Sequence, residues 1–261
     1  MTTPPRVLSP YEQNQLNQYH INHDDMVKFF QEYGEMPVEY ITGHVQFCGH
    51  DFLVNQDVLI PRVETEELVS RVVEEIVNRA GKSDHTISWA DVGTGCGAIA
   101  ICASAELAKR NINHSCIGSE VSAAALKTAQ ANLHAIQDQT GLKLDVKLIE
   151  SDLLDNFDPH LRFDLMVANL PYIPSSRIPT LDLSVSAFEP HLALDGGEDG
   201  LSLIRRFLDQ AKTLLAKDGV ILLEVDYTHD RDAWREFYSQ WQIDVQFDEF
   251  ERTRYVRLVL I

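Results

Sequence analysis

Long apolar runs are missing from this chain. No stretch approaches the roughly twenty consecutive apolar residues needed to cross a bilayer. The first eighteen residues are polar and carry no apolar signal core, so a cytoplasmic protein without membrane contact is expected. Cysteine is scarce: Cys48, Cys96, Cys102 and Cys116 are the four present, and none forms a Cys-x-x-Cys pair. That spacing excludes a disulfide-built scaffold and leaves reduced, structural thiols. Positive charge is scarce as well. Lys and Arg number 22 against 40 Asp and Glu, for a net charge of -18 and a pI near 4.8. The nearest approaches to a basic run are Lys109-Arg110 and Arg205-Arg206. Such a surface repels a phosphate backbone and weighs against stable nucleic-acid binding. Internal repeats and low-complexity tracts are also lacking.

What is present is an ordinary globular composition, 44% hydrophobic over 261 residues. This is enough for one large α/β domain with a small appendage. Residues 1–35 read as a short helical N-terminal segment, with Asn22, Asp24 or Asp25 capping a helix that ends at Gly34. Residues 36–61 read as a β-hairpin linker, because Val45, Phe47, Phe52 and Val54 alternate around residues 48–51. His44, Cys48 and His50 share strand parity and could in principle share a metal, but the turn residues between them spoil the alternation, and no metal is expected. Thr65 reads as the N-cap of a helix whose apolar stripe is Leu68, Val69, Val72, Val73, Ile76 and Val77.

From residue 62 onward strands and helices alternate. Strands are expected at 87–92, 116–120, 144–149, 163–168, 220–225, 243–247 and 255–261. Helices are expected at 98–110, 123–136 with Ser122 as cap, 201–215 and 234–241. That order argues a mostly parallel sheet covered on both faces.

The central stretch is Asp91-Val-Gly-Thr-Gly-Cys-Gly97 followed by an apolar helix. Gly93, Gly95 and Gly97 let the backbone turn sharply and approach a ligand closely, and the helix start points free N–H groups at the same place. A tight turn with no ligand is the plain alternative. Glu120 closes the second strand, 23 residues beyond Gly97, where an acid can accept both hydroxyls of a ribose. A nicotinamide dinucleotide would fit that much. The glycines, however, are spaced two apart, Asp91 precedes the turn, and Asp152 follows the third strand. Such a ring of acids suits a sulfonium with a free amino group better than a pyrophosphate. Asp152 could equally cap a helix.

The stretch Asn169-Leu170-Pro171-Tyr172 ends the fourth strand. The Asn169 side chain and the next main-chain carbonyl can each accept a hydrogen bond from an NH₂ group. Pro171 stiffens the loop, and Tyr172 offers a flat face to a planar amide or base. A plain turn is the alternative.

Together the two motifs resemble the HemK/PrmC family of protein-(glutamine-N5) methyltransferases. The resemblance runs from about Pro37 to the C-terminus and includes Ile60-Pro61-Arg62, the 91–100 stretch, residues 163–174, Glu189-Pro190, residues 193–200 and Leu222-Leu223-Glu224-Val225. It implies a Rossmann-like S-adenosylmethionine-dependent methyltransferase domain over 62–261, with a mostly parallel seven-stranded sheet, and a reduced substrate-docking segment over 1–35. It implies cofactor contacts at Gly93, Thr94, Gly95, Cys96, Gly97, Glu120, Asp152, Leu153 and Asn169, with Asp91 beside them. It places the substrate glutamine against Asn169, Leu170, Pro171 and Tyr172, with Arg62 nearby; Asn169, Pro171 and Tyr172 are the catalytic candidates. The implied substrate is a peptide-chain release factor, methylated at a Gly-Gly-Gln tip; separately, a monomer is expected rather than an oligomer. Three departures stand out: Leu170 replaces a first proline, the segment before the hairpin is short, and Asp226 stands where the family usually has glycine. An adenine N6-methyltransferase and a non-catalytic adenosyl-binding protein are the competing readings.

Overall fold

The computed structural model describes residues 6–82, 85–248 and 250–261. Five residues at the start and Ser83, Asp84 and Glu249 lie outside it, so the expected 1–35 segment and the polar loop before the first sheet strand are described only in part. Three short helices open the chain: α1 (Pro10–Gln18), α2 (Met26–Tyr33) and α3 (Val38–Thr42). Ser9 and Glu12 close α1 with a reciprocal capping box, and Asp25 caps α2 as the sequence suggested. Leu8, Leu16, Phe29 and Val38 form a small core of their own. Residues 38–42, expected in the hairpin linker, therefore pack with the helices before them.

The hairpin follows as β1 (His44–Phe47) and β2 (His50–Leu53). Its turn is two residues, Cys48 and Gly49, both with positive φ, rather than the four expected. His44 bonds Asp51 at 2.8 Å and stacks on Tyr19, and no metal-holding cluster of three His, Cys, Asp or Glu exists among the described residues. No helix among the described residues is long and apolar enough to cross a membrane.

The large sheet contains β3 (Ile87–Val92), β4 (His114–Glu120), β5 (Val146–Glu150), β6 (Phe163–Ala168), β7 (Leu215–Glu224), β8 (Trp241–Phe247) and β9 (Thr253–Leu260). Their order is β5-β4-β3-β6-β7-β9-β8; β3 to β7 run parallel, and β9 pairs antiparallel with both neighbours. Strand parity sorts the core into two layers. Trp89, Leu165, Val167 and Leu222 join the cluster beneath α4 (Val63–Ala80), α5 (Ala98–Lys109) and α6 (Ala123–Thr140). Ala90, Met166, Ile221 and Leu223 join the other, with Ile204, Phe207 and Leu208 of α8 (Ser202–Leu214); the loop between β6 and α8 carries α7 (Leu183–Ser186) between two 3₁₀ turns, Ser175–Thr180 and His191–Ala193.

Two expectations are corrected. Residues 234–241 hold only a single 3₁₀ turn, Arg235–Phe237, before β8 rather than a full helix; Trp234, Phe237 and Trp241 are all buried, and the apolar spacing reflects core packing. Thr65 is not the cap of α4, which begins two residues earlier behind Arg62 with no side-chain cap.

One buried polar side chain fixes the hairpin to the sheet domain. Asn132 of α6 accepts from Leu53 N at 2.7 Å and donates to Leu53 O and Cys96 O at 3.0 and 2.9 Å. A fully buried amide with its bonds satisfied specifies one docking geometry. The chain leaving β2 is thereby laid along the glycine turn.

Candidate active site

A cavity of about 370 Å³ opens at the carboxyl ends of β3, β4 and β6, where open α/β sheets place their ligands. Its walls come from four parts of the chain: residues 56–65 after the hairpin, the 93–99 turn with 120–125, the 151–153 and 169–171 loops, and 190–206.

The glycine turn forms the floor. Gly93, Gly95 and Gly97 all have positive φ, which side chains seldom adopt. Gly95 has open space where a Cβ would be, and it lines the cavity. Gly97 faces Ile101 and does not line the cavity. The Glu120 carboxylate accepts from Gly95 N and Ser122 N, both at 2.9 Å. Each of its oxygens keeps a second lone pair for a ligand hydroxyl. Cys96 lies in the wall, but burial pushes its thiol up to about 12, so it stays protonated.

The expectation that Asp91 faces the ligand is corrected. Its side chain is fully buried behind the turn, where Oδ2 accepts from Thr94 Oγ1 at 2.6 Å and Ala100 N at 3.1 Å. It braces the turn against the start of α5. Burial lifts its carboxyl to about 7 against these two bonds.

Asp152 is no helix cap; its Oδ2 pairs with Arg206 at 2.7 Å, and both line the cavity mouth. Beside it Leu153 adopts a left-handed φ of 52° in the wall, a conformation rare for a side chain of its size. Asp57, Glu120 and Asp152 against one Arg206 make the lining net negative, which favours a cationic ligand. Asp57, Leu203 and Arg206 escaped the sequence reading, having no motif around them.

The 169–172 loop forms the opposite wall. Asn169, Leu170 and Pro171 line the cavity. Asn169 Nδ2 donates to Thr65 Oγ1 at 3.2 Å, and Thr65 Oγ1 donates to Glu224 Oε2 at 2.9 Å. Tyr172 does not line the cavity; its hydroxyl donates to Glu224 Oε1 at 3.2 Å. Burial and the nearby Glu224 charge raise its phenol pKa, so it remains a donor. Burial also raises Glu224, opposed by Thr65, Arg254 and Tyr172.

Leu170, in the family's proline position, is buried against Gly93: a Cβ there would come within 2.9 Å of Leu170 Cδ2. The loop is stiffened from behind instead. Gly196 and Gly200 leave no room for a Cβ beside the carbonyls of Pro171 and Tyr172, and the main chain is zipped by Ile173 N to Leu194 O and Gly196 N to Ile173 O.

Arg62 also stands outside the lining. Its guanidinium pairs with Glu189 at 2.5 Å, and that carboxylate is 1% exposed. The pair ties the start of α4 to Pro190, which does line the cavity.

Fold and site together define a class I S-adenosylmethionine-dependent methyltransferase. The methyltransferase small domain profile matches residues 69–180. The ribosomal protein L11 methylase of Lactobacillus delbrueckii subsp. bulgaricus shares the fold at a TM-score of 0.51 and 19% identity, covering 76% of this chain and 80% of that one. The human methyltransferase 10 domain containing protein does so at 0.52 and 13%, covering 96% and 97%. A release factor glutamine methyltransferase of Koribacter versatilis is 37% identical over 207 residues, spanning 78% of this chain and 68% of that protein. Its counterpart in Bacillus anthracis is 34% identical over 217 residues, spanning 82% and 72%. The chain belongs to the release factor glutamine methyltransferase family.

Proposed function

We propose that this protein transfers a methyl group from S-adenosylmethionine to the side-chain amide nitrogen of a glutamine in a peptide-chain release factor. The observation that carries the reading is Asn169, standing in the cavity wall opposite the glycine turn with its Nδ2 committed to Thr65. The cavity fits the cofactor: Gly95 leaves an open cradle, Glu120 offers free lone pairs, and the lining is net negative. When bound, S-adenosylmethionine supplies a methyl group activated by its positive sulfonium.

The chain's own residues do the rest by positioning. Glu120, with Gly93, Thr94, Gly95, Cys96, Asp152 and Leu153, would hold the cofactor. Asn169 Oδ1 and the Leu170 carbonyl would each accept one N–H of the glutamine amide. With both hydrogens held, the face of the amide nitrogen is fixed toward the methyl. Positioning of this kind supplies much of the rate; as the methyl arrives the amide nitrogen gives up one of its two protons, which passes to water. Tyr172 acts from behind, through Glu224, and Arg62 through Glu189.

The helices of residues 6–42 and the hairpin form the side on which the protein substrate would dock, and residues 62–261 the transferase domain. On this reading the protein would act in the cytoplasm, where its release-factor substrate works. The test is mass spectrometry of release factor after incubation with protein and cofactor. A gain of one methyl on the glutamine of its Gly-Gly-Gln sequence supports the reading; an unmodified glutamine with demonstrated cofactor binding refutes it.

A further inference from the structure

Asn169 is held from behind by a directed chain of hydrogen bonds. Thr65 Oγ1 lies between Asn169 Nδ2 at 3.2 Å and Glu224 Oε2 at 2.9 Å. A hydroxyl has one hydrogen to give. If that hydrogen goes to the carboxylate, Thr65 can only accept from its other neighbour, which must present an N–H. A carboxamide carries its nitrogen and oxygen on opposite corners of one plane. Nitrogen fixed against Thr65 therefore turns Oδ1 the other way, and Oδ1 has no hydrogen-bond partner among the described residues.

We propose, on the reading that this cavity methylates an amide nitrogen, that Thr65 and Glu224 are positioning residues that fix the sense of the Asn169 carboxamide. They hold it so that an acceptor oxygen, and not a donor NH₂, meets the substrate amide. A reversed carboxamide would set N–H against N–H and lose the bond that orients the nucleophile. Glu224 is 1% exposed and lies outside the cavity lining, so it acts only through others. Thr65 lines the cavity, but both sides of its hydroxyl are engaged. The groups that face Glu224 are Thr65, Tyr172, Arg254, Tyr255 and Glu64. Burial raises the Glu224 pKa, and Thr65, Arg254 and the Tyr172 hydroxyl oppose that rise; the relay takes its direction from an Oε2 that accepts the Thr65 hydrogen. A neutral group able to donate would let the Thr65 hydrogen swing toward Asn169.

Three variants separate this role from plain packing. Thr65→Val keeps the volume and removes both donor and acceptor, Thr65→Ser keeps the hydroxyl, and Glu224→Gln keeps the shape but frees the relay to run either way. Two readouts are needed. The first is kcat and KM for release factor at saturating cofactor. The second is solvent exchange of the Asn169 side-chain NH₂ in ¹⁵N–¹H spectra of the full chain, its signals identified by their loss in Asn169→Asp. In the wild-type protein one NH₂ proton should be protected. Thr65→Val should lose that protection and roughly tenfold or more in kcat, with KM and cofactor affinity little changed. Thr65→Ser should recover kcat to within about threefold of wild type, and Glu224→Gln should fall between.

Wild-type kcat in Thr65→Val, equal loss in Thr65→Ser and Thr65→Val, or an unprotected NH₂ in the wild-type protein would each overturn the proposal. If the wild-type protein binds cofactor yet leaves release factor unmodified, the substrate reading fails by itself. The exchange data then decide the relay alone: protection in wild type and Thr65→Ser with loss in Thr65→Val upholds it, and no difference among the three refutes it.

Discussion

Replacing Gly196 by alanine adds one methyl group where the structure has no room for it. Gly196 lies outside the cavity lining, and its φ is not in the left-handed region, so conformational strain plays no part. A Cβ there would sit 2.7 Å from Pro171 O, 2.7 Å from Gly200 O and 2.8 Å from Gly200 Cα. Ordinary contact begins at 3.4 Å, so the two backbone segments must part by about 0.7 Å. All three obstacles are main chain and cannot swing aside as a side chain would. One of them belongs to the loop that presents Asn169. A shift of about 1 Å in a positioning group can cost on the order of a hundredfold in rate. Overpacking of this size costs roughly 1–3 kcal/mol of stability. Gly196→Ala should therefore stay folded and bind cofactor with near wild-type affinity by calorimetry, while kcat on release factor falls roughly ten- to a hundredfold. The control is Gly81→Ala, in right-handed helical backbone with its nearest atom 3.6 Å away; it should leave kcat untouched. A Gly196→Ala enzyme with kcat within twofold of wild type would refute the idea that this glycine braces the loop. So would a loss of cofactor affinity as large as the loss of rate.

Other outcomes follow from the same geometry. Asn169→Ala should leave circular dichroism and cofactor affinity unchanged and remove detectable methyl transfer, because the side-chain acceptor that orients the amide is gone. Gly95→Val places a branched side chain in the cavity at a φ of 57°, so calorimetry should show cofactor binding lost. The raised carboxyl of Asp91 has a sign. Its folded value near 7 lies above the ordinary 3.8, so its contribution to stability is fully present below about pH 4 and is lost as pH rises to about 7. Urea unfolding of the free protein at pH 5 and pH 8 should show wild type losing stability relative to Asp91→Asn, by a few kcal/mol at most; a pH-independent difference would show that Asp91 titrates normally. Arg62→Met leaves Glu189 buried without its partner; because Arg62 is 35% exposed, denaturant unfolding should record a loss of roughly 1–3 kcal/mol.

The sheet was legible because its signals are local. Strands 87–92 and 163–168 were readable to the residue, since a run of apolar residues bounded by turn signals needs no distant partner to identify it. The glycine turn and Glu120 were readable for the same reason. Asp91 was misplaced because a carboxylate next to a glycine turn looks the same in sequence whether it faces a ligand or the helix start behind the turn. Thr65 looked like a cap because a threonine before an apolar stripe commonly is one; its hydroxyl is claimed instead by Glu224, 159 residues away. The apparent helix at 234–241 arose because Trp234, Phe237 and Trp241 happen to fall at helical spacing. Asp230 caps the tight turns there through Asp232 N and Ala233 N, and the chain goes no further than a 3₁₀ turn at Arg235–Phe237.

The long reach of the Thr65–Glu224 bond has a consequence for timing. A nascent polypeptide still short of residue 224 can contain the glycine turn, the hairpin and the Asn169 loop, yet nothing behind Thr65 tells that asparagine which way to point. That bond can form only once β7 has taken its place between β6 and β9.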